Sequence, residues 1–417
     1  MSIITLVFRE TVNFTGEEEI VSTKVFISDI HLSDTTTGDH NITLNTLRGF
    51  WNDIERDVFD AGGHEKLELV VLGDFIDIIR STRWKGKMQP WADKKIIKVT
   101  VDAIVNDILE KNKPVFDELK YYKKELGTTL TYVMGNHDRL INSEGYDDIR
   151  KKIQVALGHE PTGEKFPWTY PAGDLPIYAA HGNDYDVYNM TINIENPEGD
   201  ALNPLGDAIV TLLINVYPQK VYDLQNDKNI FEKLQEIDNL RPSSIAPFWI
   251  HYVSQERRDL KNILQEQWES LLEVFSGKPF VSKWAEKHWD DYFKLKKGLD
   301  CLTSTSMAKL YEKFSGFFNQ EDLYAKQAMD RISRTCDYVL FGHTHESYAQ
   351  LLDVRNGKEK YYINTGTWRK RIVPSKYKKD DIVFGSQRSV DYVLFTIDDA
   401  RPNEIKEFQL WNGTINA

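Results

Sequence analysis

Short runs rich in β-branched and aromatic residues recur along the first 180 residues, separated by stretches with helical periodicity. KVFIS (24–28), LELVVLG (67–73), TLTYVM (129–134), PIYAA (176–180) and, much later, CDYVLF (336–341) each read as a strand. LELVVLG is apolar throughout, the pattern of a strand buried on both faces. Between the first two runs, Leu44, Leu47, Phe50, Trp51, Ile54 and Val58 share one helical face. Ile96 to Leu126 predicts one or two amphipathic helices interrupted near Pro114. YYINTG (361–366), VDYVLFTI (390–397) and EIKEFQLW (404–411) make the C-terminal part rich in strands. From about Leu205 to Arg334 the texture changes to helical spacing with many Trp, Phe, Leu, Lys and Glu residues. The pattern predicts an α/β core formed by 1–204 and 335–417, carrying a helical insertion or cap at 205–334.

Composition narrows this picture only slightly. The 417 residues suffice for one large domain with an insertion or for two domains, and 41% hydrophobic with 28% charged residues is ordinary for a globular protein. A formal charge of −12 gives no overall attraction to nucleic acid or anionic lipid, so an anionic substrate needs local help from metals or basic clusters. Cys301 and Cys336 are the only cysteines and have no metal-like spacing, which favours a reducing cytosol over a disulfide framework. The N-terminal MSIITLVFRETVNFTGEEEI has no basic leader. The longest apolar run, Ala208 to Val216, falls well short of the ~20 residues that cross a bilayer. A cytoplasmic protein is expected, with contact to a membrane surface left open.

Five short motifs follow the expected strands: Asp29-Ile-His31, Gly73-Asp74-Phe-Ile-Asp77, Gly135-Asn136-His137-Asp138, His181-Gly182-Asn183-Asp184 and Gly342-His343-Thr-His345. Strand ends are where open α/β sheets place ligand sites, and glycine lets several loops approach one small volume. Singly, each motif has an ordinary reading as a surface turn, a helix cap or a satisfied interior histidine. Together, hard oxygen and imidazole ligands terminate strand-like runs in both halves of the chain, an arrangement that chance turns would not produce.

On these residues the chain resembles the calcineurin-like metallophosphoesterase superfamily, whose blocks are D-x-H, G-D-x-x-D, G-N-H-D, G-H and G-H-x-H. DIH, GDFID, GNHD and GHTH are intact, while Ala180 stands where the fourth block has glycine. The resemblance covers roughly 24–184 and 336–370. It implies a four-layer α-β-β-α sandwich of two mixed sheets, here with an unusually long insertion. It further implies two divalent cations, Mn²⁺ foremost, with Fe, Zn, Co or Ni as alternatives. One cation would be held by Asp29, His31, Asp74 and His345, the other by Asp74, Asn136, His181 and His343. His137 would donate a proton to the leaving oxygen with Asp138 orienting its ring, and Asp77 would support Asp74 or a histidine. The implied reaction is hydrolysis of a phosphate ester.

HGNDYD (181–186), NPLGDAIVTLLINVYPQ (203–219) and YYINTGTW (361–368) resemble the UDP-2,3-diacylglucosamine hydrolase-like branch. That branch often has Arg where this chain has His137, and its insertion is shorter. The likeness implies a bulky phosphodiester or pyrophosphate, such as a nucleotide-sugar or lipid-linked substrate. Ala208 to Val216 reads first as a buried cap helix and second as part of an acyl groove. Arg369, Lys370, Arg371, Lys376, Lys378 and Lys379 form a basic run, and Arg80, Arg83 and Trp84 follow GDFID. Of these, Arg80, Arg83, Arg369 and Arg371 are candidates to bind the substrate, with solvated or packed side chains as the alternative. Competing functions are a nuclease or cyclic-nucleotide-type phosphodiesterase, a phosphomonoesterase, and a metal-binding scaffold without activity. The acidic charge makes nucleic acid a poor partner.

Overall fold

The computed structural model describes residues 21–59, 67–191, 202–241, 245–300, 321–331, 336–378, 381–398, 401 and 403–414. The N-terminal twenty residues, on which the expectation of no basic leader falls, Cys301, Lys379 and the insertion's last residues up to Arg334 lie outside that set, as do the side chains of Val58, Lys376 and Lys378. The fold is α/β with mixed sheets. The first sheet has the order β11-β10-β1-β2-β3, from β1 (Val21–Ile27), β2 (Leu67–Leu72), β3 (Thr129–Val133), β10 (Ser389–Asp398) and β11 (Ile405–Thr414). Strands β1, β2 and β3 are parallel, whereas β10 runs antiparallel to both β1 and β11.

Alternation within these strands explains the layering. Val25, Ile27, Leu69, Val71, Tyr392 and Leu394 face one way, into a core with helices α1 (Leu44–Phe59), α2 (Lys94–Lys111), α3 (Lys113–Glu125) and α4 (Asp147–Ala156). Pro114 at the start of α3 divides the long helical stretch, because proline suits a first turn and breaks an interior one. The opposite face, with Phe26, Val70, Leu72, Val393 and Phe395, packs on Ile177, Ala179, Leu340 and Ile363 of the second sheet. That sheet has the order β4-β5-β7-β6, from β4 (Ile177–Ala179), β5 (Tyr338–Phe341), β6 (Ser347–Arg355) and β7 (Lys358–Thr365). Its far face, with Val339, Phe341 and Tyr362, meets Tyr324, Ala325 and Ala328 of the helix Glu321–Arg331.

The described residues from 205 to 300 contain helices and no strand: α5 (Leu205–Ile209) with a π-helical continuation (Val210–Ile214), α6 (Tyr217–Gln225), α7 (Lys228–Gln235), α8 (Ala246–Glu256), α9 (Lys261–Ser276), α10 (Pro279–Lys287) and α11 (Trp289–Leu299). Most of their buried side chains form a cluster of their own, in which Tyr217 and Trp268 pack edge to face and Ala208, Ile209, Leu213 and Ile214 are buried, while Val210 packs into the core between the first sheet and α1–α4. Among the described residues no helix is long and apolar enough to cross a membrane. Of the basic run after TGTW, Arg371, Lys376 and Lys378 lie on β8 (Arg371–Lys378), which pairs antiparallel with β9 (Asp381–Gln387), and Arg369 and Lys370 precede it. This hairpin gives Ile372, Ile382 and Phe384 to the helical cluster, so it supports the insertion.

After β7, the Gly366–Thr367 turn is clamped to β10. Asp391 accepts from the Thr367 amide (3.1 Å) and the Ser389 hydroxyl (3.0 Å), and Trp368 Nε1 donates to the Asp391 carbonyl (2.8 Å). Burial, opposed by these hydrogen bonds, pushes the Asp391 carboxyl up to about 7. An unfolded chain ionises this group near ~4, so the folded form holds the extra proton and its stability falls as pH rises from there towards 7. Asp391→Asn removes that penalty. Its melting temperature relative to wild type should therefore be higher at pH 8 than at pH 5, measured by calorimetry at both values.

Candidate metal centre

Parallel strands bring their C-terminal ends to one edge of each sheet, and the motifs leave from those ends. Asp29, Asp74, His181 and His343 each lie two residues beyond the strand they follow, and Asn136 three. The loops are tied to one another through their backbones: the Asp29 amide donates to Gly73 O (3.2 Å), His31 to Asp74 O (2.8 Å), Asp77 to Leu32 O (2.8 Å) and Gly342 to His181 O (2.9 Å). Carboxylates tie them further. Asp29 Oδ2 accepts from the His343 amide and Asp74 Oδ1 from the His137 amide, both at 2.8 Å. The glycines are needed for this closeness. A Cβ on Gly135 would stand 2.3 Å from Asp74 Oδ1, and one on Gly73 would stand 2.7 Å from the His181 ring.

The side chains converge. His345 Nε2 lies 3.1 Å from His31 Nε2 and 3.2 Å from Asp29 Oδ1, and His31 Nε2 is 3.6 Å from Asp29 Oδ1 and 3.7 Å from Asp74 Oδ2. On the other side His181 Nε2 is 3.2 Å from Asp74 Oδ2, 3.1 Å from Asn136 Oδ1 and 4.0 Å from Asp29 Oδ1. Three groups could each hold a metal ion: Asp29, His31 and His345; His31, Asp74 and His137; and Asp29, Asp74 and His181. Asp29 Oδ1 is buried yet accepts no hydrogen bond, although a buried carboxylate oxygen ordinarily finds a donor. An oxygen left open between imidazole nitrogens is the donor set a divalent cation takes. His343 stands outside these groups. Its ring centroid is 5.3 Å from that of His181, and its Nε2 lies 3.1 Å from Asp186 Oδ2.

Backbone strain marks the same residues. Asp29, His31, Asp74, His343 and His345 all have φ between 50° and 71°, in the left-handed region that side chains disfavour. They are five of the eight non-glycine residues with positive φ among the described residues. Each costs about 1–3 kcal/mol and persists only where the surroundings dictate it.

Asp77 connects the site to its surroundings. It accepts from His31 Nδ1 (2.8 Å) and His137 Nδ1 (2.7 Å), leaving each ring's Nε2 to face outward. The sequence expectation that Asp138 orients His137 is corrected here. Asp138 instead closes its own loop, accepting from the Gly135 amide (2.6 Å), the Phe75 amide (3.2 Å) and the Tyr132 hydroxyl (2.5 Å). Burial and the neighbouring Asp74 charge push Asp138 up to about 7. Burial would also raise Asp77, but the His137 and Arg80 charges outweigh it and hold Asp77 well below the usual carboxylate range. For His181 burial acts downward, and the Asp74 and Asp29 carboxylates override it, pushing the ring up to about 10.

The four arginines expected to meet substrate are largely engaged elsewhere. Arg80 is buried with Nε 2.7 Å from Asp238 and Nη1 3.3 Å from Asp77. Arg369 is buried against Asn239 (2.9 Å) and Asp238, and Arg83 pairs with Asp107 on α2 (Nε, 2.8 Å). Arg371 reaches Gln387 at 3.4 Å and Glu346 at 3.9 Å, while its buried Nε has no partner. The insertion supplies two contacts that sequence reasoning missed. Arg139 Nη1 donates to Asn136 O (2.9 Å) and its guanidinium pairs with Asp207 of α5. Arg241 Nε donates to His345 Nδ1 (3.2 Å). Asp186, also missed, sits in the HGNDYD run beside His181, so its placement had a local signal; Arg241, 104 residues before His345, had none. No protein-family model matches the chain, and comparison with curated proteins gives no match.

If the positive φ at His345 is strained, His345→Gly should be more stable than His345→Ala by about 1 kcal/mol, because glycine adopts φ > 0 freely. At an unstrained position alanine would be the more stable. Denaturant unfolding of both variants decides between the two orders.

Proposed function

We propose that this chain is a metallophosphoesterase, a metal-dependent hydrolase of a phosphodiester or pyrophosphate. The observation that carries the reading is the buried Asp29 Oδ1, which has no well-aligned hydrogen bond and faces Nε2 of His345, His31 and His181 at 3.2, 3.6 and 4.0 Å, on turns held in left-handed backbone at five candidate ligands. The two sheets packed face to face, with motifs at the ends of their parallel strands, support assigning the metallophosphoesterase sandwich. In this reading Asp29, His31, Asp74 and His345 hold one divalent cation, Mn²⁺ foremost, and Asp74, Asn136, His181 and His343 hold a second. Bound there, such cations supply Lewis-acid polarisation of phosphoryl oxygens and make water more acidic.

The protein's own groups do the rest. Asp77 fixes the tautomer of His31 with its Nδ1–H inward, so that Nε2 offers a lone pair. Asp74 has one oxygen occupied by the His137 amide and the other free to face both sides of the cluster, which suits a shared ligand. His137 is held by Asp77 at Nδ1, and the carboxylates of Asp77 and Asp74 raise its basicity against the effect of burial. A ring so held carries a proton that it can give to the departing oxygen. Asp186 positions His343 through Nε2, leaving Nδ1 as its ligand atom.

With Mn²⁺ the full chain should hydrolyse bis-p-nitrophenyl phosphate, and chelation or His345→Ala should abolish turnover. No hydrolysis of diesters or nucleotide-sugar pyrophosphates by metal-loaded protein would overturn the reading. His137→Gln should lower kcat by about 10²–10⁴-fold on esters with alkyl leaving groups. The loss should be much smaller with p-nitrophenolate, which departs without protonation, so the ratio of the two rates tests the proton donor.

A further inference from the structure

Two of the three arginines around Asp238 are satisfied by carboxylates and the third is not. Arg80 and Arg369 share Asp238. Arg241 follows the same turn, Glu236–Asn239, which is anchored on the core by the Leu240–Ile372 bridge and by Lys370 to Glu236 (2.7 Å). Arg241 Nη1 donates to the carbonyls of Asp238 (3.0 Å) and Leu240 (2.8 Å), which fixes the plane of the guanidinium. Its other edge points at the cluster: Nε donates to His345 Nδ1 at 3.2 Å, and Nη2 lies 3.5 Å from His345 Nε2. Among the described residues Arg241 has no ion pair with a carboxylate.

A guanidinium edge against a neutral imidazole makes a weak bond compared with the same edge against an anion. It also touches a ring whose Nε2 belongs to one of the metal-holding groups. A cation in that group would face the positive charge of Arg241 at close range in a partly buried setting, and the repulsion disfavours both. An anion that bridges the two relieves it. We infer that Arg241, supplied by the helical insertion, binds a non-bridging phosphoryl oxygen of the substrate through its Nε–Nη2 edge. The planar fork fits two oxygens or one oxygen held twice, and its anchored half arrives already oriented. The inference deepens the phosphoesterase reading and rests on it. It carries a thermodynamic signature, because a phosphate that relieves the repulsion between the cation and Arg241 must strengthen the cation's binding, and the cation by reciprocity the phosphate's.

Calorimetric titration of the full chain with Mn²⁺ and inorganic phosphate, each alone and in the presence of the other, tests this. Wild type should bind phosphate more tightly with Mn²⁺ present, and Mn²⁺ more tightly with phosphate by the same factor. R241Q should raise the phosphate Kd about tenfold or more and diminish that coupling. Its Mn²⁺ affinity without phosphate should be unchanged or higher. R241K, which keeps the charge and loses the fork, should fall between. A wild-type phosphate Kd in R241Q, or equal weakening of Mn²⁺ and phosphate as expected of a purely structural residue, would overturn the inference. So would a wild-type protein that binds Mn²⁺ but no phosphate. Turnover of bis-p-nitrophenyl phosphate by wild type is a separate readout: phosphate coupling through Arg241 without hydrolysis would sink the hydrolase reading and leave the anion site standing.

Discussion

Three carboxylates with almost no access to water, Asp29, Asp74 and Asp77, sit where two sheets meet, and the rest of the local structure answers to them. Ionised carboxylates in such a place cost several kcal/mol each unless positive charge or hydrogen-bond donors surround them. The protein supplies both from every direction. Asp77 is enclosed by His31, His137, Arg80 and the Arg80 amide. Asp29 and Asp74 each receive a backbone amide from a loop distant in sequence. No hydrogen bond is well aligned to Asp29 Oδ1, which instead faces imidazole nitrogens, and the upward push on the His181 pKa reflects the same excess of negative charge. The left-handed turns and the glycines packed against side chains follow from crowding so many ligands onto strand ends.

The helical insertion takes part in this arrangement. It touches the core through Asp207, which holds Arg139 and through it the Asn136 loop, and through the Glu236–Arg241 segment beside Asp77 and His345. The β8–β9 hairpin gives its apolar side chains to the helical cluster, so helices and core share a continuous apolar boundary. A shift of the insertion would therefore move charged groups within reach of the ligands, and a change at the ligands would be felt by the insertion.

Much of the core was readable because periodicity and chemistry agree there. A strand such as LELVVL is buried on both faces and has to be apolar throughout, and the ligands sit at fixed offsets from such strands. The signal failed where burial is one-sided or absent. β6 is an edge strand with most of its residues exposed or half-buried, and β8 carries Arg, Lys and Pro because it pairs with one partner only. The spacing of Asp77 and Asp138 could not tell which would hold His137: Asp138, adjacent in sequence, turns back into its own loop, and the residue 60 positions away makes the contact. Arg80 and Arg369 looked free because Asp238, which neutralises them, lies in a stretch whose tertiary position no local pattern encodes.

The placement of β1 carries a consequence for how the chain comes to be made. β1 is central in its sheet, yet only one neighbour, β2, follows soon in sequence; the other, β10, begins at Ser389. At ribosomal rates of roughly 5–20 residues per second, β1 waits on the order of tens of seconds with one apolar edge unpaired. An open, flat, hydrophobic edge is what a second unfinished chain would add to. The nascent chain therefore passes through a stage when its central strand is its most adhesive one, and a chaperone or slow dilution has most to protect then.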